Sequence, residues 1–296
     1  MKKTKVLVTG AAGFLGTKVM NLLKDDFELI GTDKDGRKGS LRMDIIDVNE
    51  VNSVIKKAKP DVVLHLASIT DVDRCEVEKA FAKKINVDGT RNIIKACKGV
   101  NAKIIYVSTD FVFDGKKGDY KEDDKPNPLS YYAETKLEAE SLVRKSGLRY
   151  LIIRPEVLYG YNGDGSERSF SNWVYVSLKN KKEIRVVDDH FNTPTLVDDI
   201  TEAIKILIKK NREGRYHVAG PERLSRYGMA LKIADAFGFD KALIGPIKTA
   251  ELRQKARRPR DSSLNTEKLK REGVIMHSFG DGLKIMKKQI DQDGAD

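Results

Sequence analysis

Apolar residues fall in short, nearly unbroken runs separated by stretches with helical spacing. Lys5-Val6-Leu7-Val8 is one such run, Phe14 to Leu23 repeats with a helical period, and Glu28-Leu29-Ile30-Gly31 is a second run. Asp61 to Leu66, Ala102 to Val107 and Tyr150 to Ile153 continue the series, with a helical stretch from about Glu76 to Lys98 and another around Tyr132. A run without polar alternation predicts a strand covered on both faces, and strands alternating with helices predict parallel connections. The expected fold class is therefore α/β, a doubly wound parallel sheet of the Rossmann type that binds ligands at the carboxyl ends of its strands.

Beyond Arg154-Pro155 the pattern loosens. Gly160 to Ser171 reads as a polar loop, Phe170 to Lys179 as a helix carrying Trp173, Ile184 to Val187 as a strand, and Leu196 to Lys209 as a helix begun by Thr193-Pro194-Thr195. Short elements punctuated by Gly220-Pro221 and Gly245-Pro246 follow. These shifts predict a dinucleotide-binding domain over 1–155, rejoined by 192–212, and a second, smaller substrate-binding lobe built from 156–191 and 213–296.

At 296 residues the chain can bury a sizeable core. Its formal net charge of +11 raises nucleic acid, a membrane surface or an acidic small molecule as partners. The lysines are dispersed, however: Lys56-Lys57, Lys83-Lys84, Lys181-Lys182 and Lys209-Lys210 mostly lie near predicted helix ends, where they are solvated and suit the helix dipole. No basic and aromatic interleaving marks a nucleic-acid platform, and no apolar run approaches a membrane span, so neither partner is expected. No leader-like segment follows Met1, and the expected location is cytoplasmic. Cys75, Cys97 and four scattered histidines offer no metal-ligand spacing, so no metal is expected.

Val8-Thr9-Gly10-Ala11-Ala12-Gly13-Phe14-Leu15-Gly16 lies between a predicted strand and a predicted helix, the context that makes glycines meaningful. Gly10 permits a tight turn, Gly13 a close backbone approach and Gly16 close helix-on-strand packing, leaving a helix N-terminus aimed at a diphosphate. Gly10, Ala12, Gly13, Phe14, Leu15 and Gly16 are accordingly the first expected cofactor-binding residues. Asp33 ends the second run, where a carboxylate can accept from an adenosine ribose and repel a 2′-phosphate; this tips the expectation towards NAD over NADP, against the opposing charges of Lys34, Arg37 and Lys38. Asp44 and Ile45 are expected adenine contacts, with a helix cap the other reading of Asp44. Tyr132 and Lys136, four apart on a helix, share a face, so that an ammonium beside the phenol favours its ionised form and brings proton exchange nearer neutrality.

These pieces resemble the extended short-chain dehydrogenase/reductases, and within them the dTDP-4-dehydrorhamnose reductase family. The likeness rests on Val107-Ser108-Thr109-Asp110-Phe111-Val112-Phe113-Asp114-Gly115, on Pro128 to Glu138, on Ile85 to Asn92 and on Ala256 to Thr266, and it extends over essentially the whole chain. It implies NAD(P)H-dependent reduction of the C4 keto group of a nucleotide-linked 6-deoxy-4-keto sugar, dTDP-4-dehydrorhamnose to dTDP-L-rhamnose being the type reaction. It also implies that Tyr132 protonates the oxygen, Lys136 holds the nicotinamide ribose, and Thr109 hydrogen-bonds the substrate beside Tyr132. Asp110 would touch the sugar, and Ala67 and Ser68 would line the cofactor.

Val157 stands where bacterial members often place a tryptophan near the substrate, and Arg154 to Gly160 also resembles nucleotide-sugar epimerases and dehydratases that retain NAD. A third reading is a non-catalytic regulatory subunit like the beta subunit of methionine adenosyltransferase, against which the intact Tyr132 and Lys136 weigh. Arg257, Arg258 and Arg260 form a cation cluster suited to the diphosphate of a nucleotide sugar, with Arg258 the expected contact. A homodimer remains open.

Overall fold

Residues 3–161 and 169–293 are described in a computed structural model of the chain. Its centre is a seven-stranded, all-parallel sheet. The strands are β1 (Lys5–Thr9), β2 (Glu28–Asp33), β3 (Leu41–Arg42), β4 (Val62–His65), β5 (Lys103–Val107), β6 (Tyr150–Pro155) and β11 (Gly214–Val218), in the spatial order β11-β6-β5-β4-β1-β2-β3. The order reverses between β1 and β4, and this switch point is where a doubly wound sheet opens a crevice at its strand ends.

Each apolar run serves two cores because successive side chains of a strand point to opposite faces. Val6, Val8, Leu64, Ile105, Leu151 and Ile153 enter one core with helices α1 (Phe14–Leu22) and α8 (Val197–Lys209). Leu7, Val63, Ile104 and Ile152 enter the other with α2 (Val48–Ala58), α5 (Thr90–Val100) and α6 (Tyr131–Arg144). Fully burying one such side chain contributes about 1.5–3 kcal/mol, so a sheet apolar on both faces holds helices on both sides.

Two expectations are corrected. The single helical stretch from Glu76 to Lys98 is instead α3 (Val72–Val77), α4 (Lys79–Lys83), a π-helical turn (Lys84–Gly89) and then α5. The break falls at Glu78, whose φ −103° and ψ 56° are not helical, and Gly89 sits where a Cβ would lie 2.6 Å from Ile45 Cδ1. The second concerns the lobe boundary at 213. Gly214–Val218 pairs in parallel with Leu151–Pro155, so the segment returning to the sheet runs on to Val218; Tyr216 and Val218 are buried in the first core. Arg215 and His217 within the strand interrupt its apolar run, the latter being buried against Arg154 and the carbonyl of Tyr120.

The remaining elements pack on the carboxyl side of the sheet around a third core of Val174, Leu178, Ile184, Met229, Ile233 and Phe279. They comprise α7 (Phe170–Lys179), α9 (Arg226–Phe237), α11 (Phe279–Asp293) and three two-stranded ladders, whereas α10 (Glu267–Lys270) packs on β11 and buries Leu269 in the first core. The ladders pair β7 (Leu158–Tyr159) with β10 (Thr195–Leu196), β9 (Phe191–Asn192) with β12 (Leu224–Ser225), and β8 (Ile184–Val187) with β13 (Ile244–Ile247). Residues 162–168 of the expected polar loop and 294–296 of the expected lobe lie outside the described residues. No described helix is long and apolar enough to cross a membrane.

Candidate active site

A cleft of about 550 Å³ opens at the carboxyl ends of β1, β4 and β5. On one side it is lined by Gly10, Gly13, Phe14, Leu15 and Gly16. Gly10 adopts φ +68°, a left-handed turn that glycine reaches without strain, and Ala11 N–H then donates to the Thr32 carbonyl at 3.0 Å. A Cβ on Gly16 would stand 2.2 Å from Gly10 O, so this glycine lets α1 start directly on the turn. No side chain caps α1, and its first-turn amides face the cleft, a geometry that favours a phosphate.

Opposite, α6 presents Tyr132 and Lys136. Ser130 caps the helix by accepting from Ala133 N–H, and Asn86 from the π turn donates through Nδ2 to Thr135 Oγ1 at 3.0 Å while its Oδ1 accepts from Ile69 N–H at 2.9 Å. These bonds fix the face of α6 against the cleft. Lys136 is buried; its ammonium donates to the Val107 carbonyl at 2.7 Å and lies 4.4 Å from the centroid of the Tyr106 ring. Burial pushes it down to about 7, with Glu140 and then Cys75 pulling the other way. Tyr132 departs from expectation: burial pushes its phenol above its ordinary value, opposed by a hydrogen bond with Thr109. The two side chains do share the cleft, yet desolvation governs the phenol, and Lys136 is not among the groups that shift it.

Beyond Tyr132 lies a buried acidic cluster that sequence reasoning reached only in part. Thr109 donates to Asp110 Oδ1 at 3.0 Å, and Ser262 Oγ sits 2.6 Å from Asp110 Oδ2 and 3.1 Å from Glu156 Oε1. Asn192 and Thr193 donate to Glu156, and Arg226, at the start of α9, faces the pair from the cleft wall. Burial and then the charge of Glu156 push Asp110 up to about 8, and burial likewise raises Glu156. Ser108, also in the cleft wall, keeps a buried hydroxyl with no partner, as a residue awaiting a ligand does.

The other expected residues separate. Ser68 and Val157 line the cleft, and Val157 holds φ +40°, a strained conformation for a β-branched residue. Ala67 packs behind Gly10 and Ala12 is buried beneath the turn; neither lines the cleft. Asp33 ends β2 but accepts from Arg37 Nε at 3.1 Å, so the repulsion expected against a 2′-phosphate is offset. Asp44 accepts from Ile46 N–H, whereas the cap of α2 is Asp47; Ile45 is buried in the second core against Gly89. Arg258 is bound to Asp73 and does not line the cleft, and Arg257 and Arg260 are exposed. Of the residues missed, Glu156 was legible as a carboxylate placed beside Pro155 at a strand end, Ser262 lies within the Ala256 to Thr266 stretch that carries the family likeness, and Arg226 carries no local signal. Among the described residues no group of three or more His, Cys, Asp or Glu side chains is placed to hold a metal ion.

The family model described as the RmlD substrate binding domain matches residues 4–291, and the chain belongs to that family. It is 32% identical over 281 residues to methionine adenosyltransferase 2 subunit beta of Bos taurus, covering 91% of this chain and 83% of that one. It is also 32% identical over 288 residues to the dTDP-4-dehydrorhamnose reductase of Aggregatibacter actinomycetemcomitans, covering 93% of this chain and 95% of the relative. The crystal structure of dTDP-4-dehydrorhamnose reductase from Bacillus anthracis in complex with NADP superposes with a TM-score of 0.89 at 31% identity, over 98% of this chain and 100% of that one.

Proposed function

We propose that this member of the RmlD substrate binding domain family is an NAD(P)-dependent oxidoreductase that reduces the C4 keto group of a nucleotide-linked 6-deoxy-4-keto sugar, such as dTDP-4-dehydrorhamnose. The observation that carries the reading is that Tyr132 and Lys136 open into the same cleft as the Gly10–Gly16 turn, so a proton donor and a dinucleotide bed share one space. The resident group that fits this bed is NAD or NADP: the uncapped first turn of α1 suits its diphosphate, and the unpartnered Ser108 hydroxyl leaves a bond to offer. When bound, the reduced nicotinamide supplies the hydride.

The chain's own residues supply the rest. Tyr132 gives its phenolic proton to the substrate oxygen; burial keeps the phenol neutral and loaded, and because burial also makes it a weaker acid, the proton leaves only for the more basic alkoxide that forms on the substrate. Thr109, bonded to Tyr132 and Asp110, orients the developing alkoxide. Lys136, held by the Val107 carbonyl, positions the ribose and returns positive charge to the site when anionic groups enter. Val157 and Phe170 wall off water on the substrate side.

The test is a panel of nucleotide 4-keto sugars with NADH and NADPH. Stoichiometric oxidation of the cofactor supports a reductase; turnover without net oxidation indicates an epimerase or dehydratase that returns the hydride. The likeness to methionine adenosyltransferase 2 subunit beta favours a second reading, a dinucleotide-holding regulatory subunit without turnover. Tight cofactor binding with no consumption on any sugar would select it.

A further inference from the structure

The hydroxyl of Ser262 carries one proton, yet its oxygen approaches two carboxyl groups, Asp110 Oδ2 at 2.6 Å and Glu156 Oε1 at 3.1 Å. If both carboxyls were ionised, one of these contacts would set oxygen lone pairs against each other inside a buried pocket. A proton held between the acids removes the conflict: one carboxyl donates to Ser262, and Ser262 donates to the other. The charge balance agrees. One guanidinium, Arg226, faces two carboxyls whose relative exposure is 4% for Asp110 and 1% for Glu156, and a single shared proton leaves the trio neutral. The chain Tyr132–Thr109–Asp110–Ser262–Glu156 is then continuous from the cleft to its far wall.

Resting on the reductase reading above, we propose that Asp110 and Glu156 share one proton and recharge Tyr132 through Thr109 after Tyr132 has protonated the substrate oxygen. The step balances. Tyr132 O–H breaks as the substrate O–H forms; the Thr109 hydroxyl, which donates to Asp110 Oδ1 at rest, turns and gives its proton to the Tyr132 oxygen; the shared proton, taken up on Asp110 Oδ1, then moves to Thr109 Oγ1. The pair, now without its proton, regains one from water in the cleft, which Asp110 lines. These are proton transfers alone and need neither an oxidant nor a reductant. The groups facing the pair are Arg226 from α9, Tyr132 from α6, the hydroxyls of Thr109, Thr193 and Ser262, and the amide of Asn192. The rise of Asp110 to about 8 agrees with one proton being retained near neutrality. Glu156 acts here as a positioning residue, since it reaches the reacting atoms only through its neighbours. The strained Val157 beside it is held by Thr195, whose N–H donates to the Val157 carbonyl at 3.1 Å and whose hydroxyl donates to the Glu156 carbonyl at 2.6 Å, which keeps the Glu156 side chain turned towards Asp110.

Infrared pH-difference spectra of the NADP-bound protein read the shared proton without any substrate. The expected result is one buried carboxylic carbonyl band that vanishes between about pH 7 and about pH 9, and that is already lost at about pH 7 in Glu156→Gln, where Arg226 faces Asp110 alone. No titrating carboxyl in the wild type, or an unchanged band in the variant, overturns the proposal. Asp110→Asn, expected to lose the band as well, serves if the glutamine variant fails to fold. With dTDP-4-dehydrorhamnose and NADPH, Glu156→Gln should lower kcat roughly tenfold or more at an almost unchanged KM and move the alkaline limb of its pH profile to lower pH. Superimposable pH profiles overturn the relay. Absence of turnover by the wild type on every keto sugar sinks the functional reading and the relay with it, while the spectrum still decides whether the proton is shared.

Discussion

Arg258 clasps Asp73 with two parallel bonds, Nη2 to Oδ2 at 2.8 Å and Nη1 to Oδ1 at 3.1 Å, and so ties the 256–260 segment to the first turn of α3. The pair holds the Asp73 carboxyl below its ordinary value, with the Ala256 N–H adding a further bond at 2.9 Å. A basic run that reads as a diphosphate site in sequence is thus, at Arg258, a clamp between two chain segments. Arg258→Ala and Asp73→Asn should each lower stability by about 1–2 kcal/mol in urea unfolding, and the double variant should cost no more than the larger single change. Strict additivity would show that the two residues do not act together. A diphosphate role at Arg258 would instead raise the sugar-nucleotide KM in Arg258→Ala and leave it unmoved in Asp73→Asn.

The glycines of the turn should separate into two kinds. A Cβ on Gly13 meets only Gly10 O at 3.1 Å, whereas one on Gly16 would stand 2.2 Å from Gly10 O and 2.8 Å from Ala11 atoms. Gly16→Ala should therefore lower stability by about 1–3 kcal/mol through overpacking. Gly13→Val should fold and lose dinucleotide affinity, because its side chain enters the space where the diphosphate approaches. Calorimetry with NADPH and thermal melts read the two effects apart, and unaltered affinity in Gly13→Val would place the dinucleotide elsewhere.

Lys136 predicts a pH dependence of stability. Its folded value is lowered from 10.5 to about 7, so between these values the unfolded chain binds a proton that the folded chain has shed. The stability of the ligand-free protein should rise with pH across that window, and below its lower end the penalty is fully in force. Lys136→Met removes the titration and should flatten this rise while stabilising the protein near neutrality. Urea midpoints measured across the range for both proteins are the check, and parallel curves would mean that the ammonium is not desolvated.

Tyr132→Phe deletes one oxygen and keeps the ring that meets Phe111 edge-on at a centroid distance of 6.3 Å. It should lower kcat on a keto sugar by roughly two to four orders of magnitude and leave NADPH affinity nearly intact. Wild-type turnover in a reaction limited by chemistry would remove Tyr132 as the acid.

The sequence by itself determined the alternation of strands and helices, the glycine turn and the shared helical face of Tyr132 and Lys136. These are local properties: an unbroken apolar run marks a strand buried on both faces, and spacing along one helix needs no partner. Tertiary structure decided what depends on residues far apart in the chain. Gly214–Val218 became the edge strand because it lies against β6, although Arg215 and His217 within it break the apolar run. Arg258 turned towards Asp73, 185 positions away. Ser262, 152 positions from Asp110, came within hydrogen-bonding distance of both Asp110 and Glu156. Burial then reversed the expected direction for Tyr132, because the penalty for charging a group depends on the water removed around it, and no segment of sequence records how much water its neighbours will exclude.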